Sequence, residues 1–270
     1  MNADLAQHIT RLASYSTPTV LNGLKRLGVP TAELQTMDRS AVRCMSPSLG
    51  VHVGFAVTRT VSTRRSGPPA HQAKFQEQEA RLHQIIASLP GPRILVVENI
   101  GEWAGPVCIW GQVTATLNVA MGCTVGITNG PVRDLVEMEQ VGFQTFASGL
   151  DTGGGVVDAV AVGEPVEIGG VTIATGDLIH ADRHGVARIP PEHAAGLAEA
   201  IEGVLATESR VMAVARRPGF TAADVARAWA GDDQADNAGT QDSSDPQGNP
   251  RRAFQPGPGQ PPVGDPEVQS

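Results

Sequence analysis

The chain has 270 residues, 41% of them hydrophobic and 18% charged, an ordinary globular composition that supports one sizeable core. Its formal net charge is -8 and it holds no Lys/Arg run, so nucleic-acid binding through phosphate neutralisation is not expected. No apolar run approaches the roughly 20 residues of a membrane span. The opening residues MNADLAQHIT carry Asp4 and no apolar stretch, which predicts no signal peptide. The three cysteines, Cys44, Cys108 and Cys123, are scattered and form no Cys-x-x-Cys pair. They read as small buried apolar residues in a reducing, cytoplasmic setting.

Residues 1–230 read as one α/β domain. Thr17-Pro18 predicts a helix start, with Thr17 as the capping hydroxyl and Pro at the first position, and Gly28 as the stop. Phe75, Leu82, Ile86 and Leu89 recur at helical spacing before Pro90-Gly91. Arg93–Asn99 is a short apolar strand. Gln112–Met121 is a helix that begins just after Gly111. Thr124–Thr128 is a buried strand, Asn129-Gly130 a turn, Arg133–Val141 a helix and Phe143–Ala147 a strand.

The pattern then changes. Residues 156–190 hold five short β-like runs separated by Gly, Asp and Pro, with no helix between them, which predicts antiparallel pairing. Pro190-Pro191 predicts the start of a long closing helix carrying Leu197, Ile201, Val204, Leu205, Val211 and Met212 on its apolar side. From residue 231 to 270 there is no Leu, Ile or Met, and Pro and Gly abound. Seven acidic and two basic side chains give this stretch -5 of the net charge of -8. It reads as a disordered tail, too poor in apolar surface to offset its ordering entropy.

Two turns are built to hold an anion. The first is Trp110-Gly111-Gln112-Val113-Thr114, where a glycine at a helix start lets a ligand approach the free N–H groups. The second is Thr128-Asn129-Gly130-Pro131-Val132-Arg133-Asp134, which follows a strand and opens a helix. Arg133 can grip a carboxylate with two parallel hydrogen bonds. Asp134 can bind Mg²⁺ through one carboxylate, with waters filling the remaining positions. Together they would stabilise the enolate formed when a bond beta to a ketone breaks. On a surface helix the same pair would be mere solvated charge.

Trp110-Gly111, Ala120-Met-Gly122, Gly126-Ile-Thr-Asn-Gly-Pro-Val-Arg-Asp134, Gly176-Asp177 and Ala181-Asp-Arg-His-Gly-Val186 together resemble one family. It is that of the 4-hydroxy-4-methyl-2-oxoglutarate/4-carboxy-4-hydroxy-2-oxoadipate aldolases and the related ribonuclease E activity regulator A-like (RraA-like) proteins. The similarity runs from about Thr17 to Phe220. It implies a three-layer β/β/α swivelling-domain fold, with N-terminal helices and a long C-terminal helix, and a homotrimer or homohexamer with sites between subunits. It implies Mg²⁺ or Mn²⁺ on Asp134, and Arg133 on the substrate's ketone and carboxylate. It implies that the N–H groups around Gly111, Gln112, Val113 and Thr114 bind a pyruvyl carboxylate. Glu208 is the best match to a glutamate contributed by the neighbouring subunit.

The chain departs from the family at Gln112, where the aldolases usually carry an acid that helps move protons. Glutamine orients water but accepts no proton at neutral pH. Retro-aldol cleavage needs such a base and decarboxylation does not, so Gln112 favours decarboxylation or a variant aldol substrate. Glu98, Glu102 and Trp103 precede Trp110, and Glu102 would supply the missing acid if its loop folds over Gln112. Asn129 also replaces a common acid and reads as a left-handed turn residue. The expected function is a divalent-metal lyase acting on a small 2-oxo acid; the alternative is a non-catalytic ribonuclease regulator. His180 and His184 lie in strand and turn, where a four-residue spacing does not pair ligands, and His184 reads with its neighbours as surface. Gly153-Gly154-Gly155 lacks the following Lys-Ser/Thr of a phosphate loop, and Asp151 and Asp158 flank it as solvated acids.

Overall fold

Two N-terminal helices, α1 (Ala3–Leu12) and α2 (Thr17–Arg26), lead through a short strand β1 (Arg43–Cys44) into the long strand β2 (His52–Arg64). Helix α3 (Gln72–Ser88) returns the chain to β3 (Arg93–Asn99). Helix α4 (Gln112–Ala120) precedes β4 (Cys123–Thr128), the two-residue strand β5 (Pro131–Val132), the short helix α5 (Leu135–Gln140) and β6 (Gln144–Ala147). Strands alone follow: β7 (Gly149–Leu150), β8 (Val156–Val162), β9 (Val166–Ile168), β10 (Val171–Ile173), β11 (Leu178–Asp182) and β12 (Gly185–Ile189). Helices α6 (Leu197–Ala215) and α7 (Ala222–Ala230) complete the domain. This computed structural model describes residues 3–68, 72–101 and 107–231. Glu102, Trp103 and the expected tail beyond Gly231 lie outside the described residues.

The main sheet has the order β1-β6-β4-β3-β2-β11-β12, with β8 also on β2. Strands β2, β3, β4 and β6 run parallel, because a helix returns the chain between each successive pair. Where no helix intervenes, β9–β10 and β11–β12 pair antiparallel, as the strand-only pattern predicts. Strand β2 divides one edge between two neighbours: His52–Phe55 pairs with β11 and Arg59–Arg64 with β8.

Side-chain alternation splits the core. Ile94 and Val96 of β3 join Val125, Ile127 and Phe146 against the β9–β10 hairpin. Leu95 and Val97 face the other way, onto Leu82 and Ile86 of α3, Ala115 of α4 and Met138 of α5. Hairpin, sheet and helices make the three β/β/α layers. A third cluster ties α1, α2 and α6 to Val53, Leu178 and Ile189. Among the described residues no helix is long and apolar enough to cross a membrane.

Local signals account for the helix ends, with shifts. Ser16, not Thr17, caps α2: its hydroxyl accepts from Thr19 N, worth about 1 kcal/mol. Thr17 is freed to donate toward His180. Gly28 follows the helix with φ 93°, a left-handed stop. Pro190-Pro191 opens turns rather than the helix itself, and α6 begins at Leu197.

Candidate active site

The two turns meet. Residues 108–110 run along the second turn: Ile109 N donates to Pro131 O at 2.8 Å and Arg133 N to Trp110 O at 3.2 Å. Gly130 is required here, since a Cβ would lie 2.4 Å from Ile109 Cγ1. Asn129 is not left-handed. Its side chain clamps the ends of two strands, accepting from Asn99 N at 2.7 Å and donating to Asn99 O at 3.1 Å.

The helix expected from Arg133 begins two residues later, at Leu135. Asp134 occupies its N-cap position at φ 57°, ψ 43°, the one non-glycine residue in the left-handed region among the described residues. That conformation is tolerable for a short polar side chain. It turns the carboxylate away from its own helix and onto the start of α4. Oδ2 accepts from Gln112 N at 3.1 Å, and Arg133 Nε stands 3.8 Å from the same oxygen. The Asp134 side chain is 40% exposed, and no described residue bonds its Oδ1.

Gly111 sits under that carboxylate. A Cβ there would lie 2.3 Å from Asp134 Oδ2. Helix α4 leaves the N–H groups of its first turn without intrahelical partners. Gln112 N is taken by Asp134 and Ala115 N returns to Gly111 O, which leaves Val113 and Thr114 as the open donors. Gly111, Gln112, Val113, Thr114, Arg133 and Asp134 therefore form one cluster. The expected carboxylate-binding group and the expected metal ligand lie at a single helix start.

Glu208 belongs elsewhere within one chain. It lies half-buried on α6, which packs with α1, α2 and α7 and shares no core cluster with α4 or α5. Glu98 stands on β3, and its Oε2 accepts from Glu167 N at 3.4 Å. His180 is fully buried on β11. His184 is half exposed beside it, and its ring meets Asp182 Oδ2 at 3.1 Å. Asp158 is not a solvated acid but pairs with Arg64 at 2.9 Å. Among the described residues no group of three or more His, Cys, Asp and Glu is placed to hold a metal.

A cavity of about 350 Å³ opens from this helix start, bounded there by Gly111, Thr114 and Arg133. It is also lined by Arg59, which pairs with Glu79, and by Trp110, Leu117, Asn118 and Cys108. Cys108 donates from its thiol to Asp151 O at 3.3 Å, and burial pushes its pKa up, so it is a poor nucleophile. Sequence reasoning named Trp110 and Cys108 but missed Arg59, Leu117 and Asn118 as lining residues. One signal was present: Asn118 stands three residues after Ala115, on the buried face of the helix.

The fold and this cluster define a β/β/α protein whose acid–arginine turn meets a helix start. The family model described as "RraA-like: Aldolase/RraA" matches residues 17–188, and the chain belongs to that family. A protein of Halorhodospira halophila named "Putative 4-hydroxy-4-methyl-2-oxoglutarate aldolase" is 30% identical over 148 residues, 54% of this chain and 83% of that protein. Protein DlpA of Legionella pneumophila is 30% identical over 131 residues, 47% of this chain; the match spans only 20% of DlpA's length. The solved structure of Streptomyces coelicolor RraAS2, described as an unusual member of the RNase ES inhibitor RraA protein family, superposes with a TM-score of 0.57 at 18% identity. It covers 78% of this chain and 96% of that one, and it shows a shared fold.

Proposed function

We propose that this protein is a divalent-metal-dependent lyase that breaks a carbon–carbon bond beside a 2-oxo acid, and that decarboxylation of an oxaloacetate-type substrate suits it better than aldol cleavage. The observation that carries this reading is the Asp134 carboxylate. It is held in a left-handed turn with one oxygen on Gln112 N and the other open, beside Arg133 and a helix start.

The donor set suits a small hard cation. One half-exposed carboxylate oxygen, in a cluster whose described residues Gly111–Thr114, Arg133 and Asp134 include no His or Cys, is the kind of site that holds Mg²⁺ or Mn²⁺ together with waters and substrate oxygens. Bound there, the ion would polarise the 2-oxo group. The chain's own residues do the rest. Val113 and Thr114 N–H, aided by the α4 dipole, hold the substrate's C1 carboxylate. The Arg133 guanidinium donates to the ketone oxygen and stabilises the negative charge that grows there as the bond breaks. Gln112 offers no base, which decarboxylation does not require.

The exposed apolar side chains Val113 and Leu117 on α4, Val136 on α5 and Leu150 on β7 flank the cluster. They support a trimer or hexamer in which a neighbour covers this rim and brings Glu208 to it. Light scattering on the purified chain tests that assembly.

The test of function is pyruvate release from oxaloacetate, and from a 4-hydroxy-2-oxo diacid, with Mg²⁺ or Mn²⁺ added and then removed by chelator. Turnover that disappears on chelation and returns with metal is expected, oxaloacetate being the faster substrate. Intact substrates under all these conditions, together with recovery of a ribonuclease in a pull-down, would replace the lyase with a binding regulator.

A further inference from the structure

The loop after β7 lies against the acid–arginine turn. Asp151 N donates to Val132 O at 3.0 Å, one residue before Arg133, and a Cβ on Gly154 would lie 3.6 Å from Arg133 Nη1. The loop therefore runs from the end of β5 to the guanidinium. Cys108 is bound to the same loop: its N donates to Gly153 O at 3.4 Å and its thiol to Asp151 O at 3.3 Å. Cys108 also lines the cavity that opens at Gly111, Thr114 and Arg133. The charges of Asp151, Arg133 and Asp134 all bear on its thiol, so these three side chains surround one corner of the site.

Asp151 is half-buried and its carboxylate is fixed by its own turn. Oδ1 accepts from Thr152 N at 2.6 Å and from Gly153 N at 3.2 Å, while no described residue bonds Oδ2. The neighbouring ionisable groups are committed elsewhere. Arg133 is permanently charged. Asp134 spends one oxygen on Gln112 N and offers the other to the metal of the lyase reading. The Cys108 thiol is hydrogen-bonded and its pKa is raised by burial. Around this corner Asp151 is the group left to take up a proton and return it.

We propose that Asp151 is a general base of this site, and that with it the protein cleaves 4-hydroxy-2-oxo acids as a second, slower reaction. The inference rests on the lyase reading above. Asp151 Oδ2 takes the proton of the substrate's C4 hydroxyl, directly or across one water. The C3–C4 bond breaks, the C4 oxygen closes to a carbonyl, and the electron pair passes to C3 as the enolate. The proton then returns from Asp151 to C3. The products are a 2-oxo acid and an aldehyde or ketone, and the carboxylate is restored. Oxaloacetate has no C4 hydroxyl to deprotonate, and its enolate takes a proton from water.

The experiment compares kcat/KM of the full chain with Mg²⁺ on 4-hydroxy-2-oxoglutarate, followed by glyoxylate release, and on oxaloacetate, followed by pyruvate release. Asp151→Asn keeps an oxygen for the Thr152 and Gly153 N–H groups but cannot accept a proton. It is expected to lower the ratio of aldol cleavage to decarboxylation by about a hundredfold. Asp151→Ser, whose hydroxyl can accept from the same N–H groups, gives the same readout if the asparagine variant fails to fold. Asp151→Glu, which keeps a carboxylate on a longer arm, should recover part of the ratio. A purely structural role for the loop would lower both rates together and leave the ratio as it was. An unchanged ratio in the variants, or a parent chain that decarboxylates oxaloacetate and releases no glyoxylate, overturns the base and leaves the lyase standing. Turnover of neither substrate removes both.

Discussion

Two helices in this molecule begin on an aspartate borrowed from elsewhere in the chain. At α2, Thr17 N donates to Asp182 Oδ2 at 2.9 Å; at α4, Gln112 N donates to Asp134 Oδ2 at 3.1 Å. The resemblance ends there. Asp182 is 3% exposed and both its oxygens are used, Oδ1 by His184 N and Oδ2 also by the His184 ring. Burial pushes its pKa up, and the bonds from Thr17 and His184 together outweigh this and hold it below the ordinary 3.8. Asp134 has one oxygen committed, one open and a strained backbone. The same residue at the same kind of position is a structural clamp where its valences are filled and a candidate ligand-binding group where they are not. Strain left at the second site and absent from the first points the same way.

Substitutions should separate the two roles. The largest effect is expected for Asp134→Ala: pyruvate release falls by about a thousandfold, roughly 4 kcal/mol of transition-state stabilisation. Stability should stay within ~1 kcal/mol, because the side chain is half exposed. Thermal melting beside steady-state kinetics checks both. Asp182→Ala should do the reverse. It strands a buried N–H and two His184 contacts, costing about 3 kcal/mol. That lowers Tm by roughly 9 °C in a domain of this size, while activity per folded molecule is retained. An Asp182→Ala protein that melts normally but loses turnover would erase the distinction. Gly111→Ala comes next. Its backbone, at φ -144°, accepts any residue, so the main conflict is the new methyl against Asp134 Oδ2, with Arg133 Cγ also tight at 3.2 Å. The carboxylate must swing off Gln112 N, and kcat/KM is expected to drop about thirtyfold, near 2 kcal/mol, with Tm unchanged.

Much of this comparison was legible in the sequence, and the illegible part has physical causes. Arg93–Asn99 is a strand at the expected bounds, and the helix after Gly111 begins at Gln112 as read. Both are short segments whose ends are marked by glycine, proline or a sharp change of pattern. Strand β2 escaped notice. It is paired on both edges and buried on both faces along much of its length, so it shows no clean alternation. Helix α7 was not anticipated either, and α1 was expected only as one of the N-terminal helices that the family resemblance implies. Arg133 and Asp134 were singled out, yet the left-handed turn at Asp134 was not, because it is imposed by the bond to Gln112 N, 22 positions away. The cavity was out of reach for the same reason: Trp110 belonged to the first turn, but Arg59 of β2 and Asn118 of α4 join it only in the fold.

The smallest expected effect sharpens the contrast from the clamp side. His180 lies beneath the α2 start, with Nδ1 2.9 Å from Thr17 Oγ1 and Nε2 facing the carbonyls of Leu12 at 3.3 Å and Tyr15 at 3.1 Å. Two carbonyl acceptors place a proton on Nε2, and in the neutral ring that burial favours, Nδ1 accepts from the Thr17 hydroxyl. Burial lowers its pKa below the ordinary 6.5, opposed in part by those carbonyls and by Asp182. Burial lowers that of His52 as well. A histidine with a depressed folded pKa contributes stability that is fully present above the unfolded value and is lost as pH falls through the folded one. Melting temperature should therefore decline as pH is lowered from 7.5 toward 5. His180→Gln, which cannot ionise, should start lower yet decline less steeply. An unaltered slope in that variant would mean that protonation of His180 does not govern the α2 clamp, whereas a shallower slope assigns the acid sensitivity of this layer to the ring beneath Thr17.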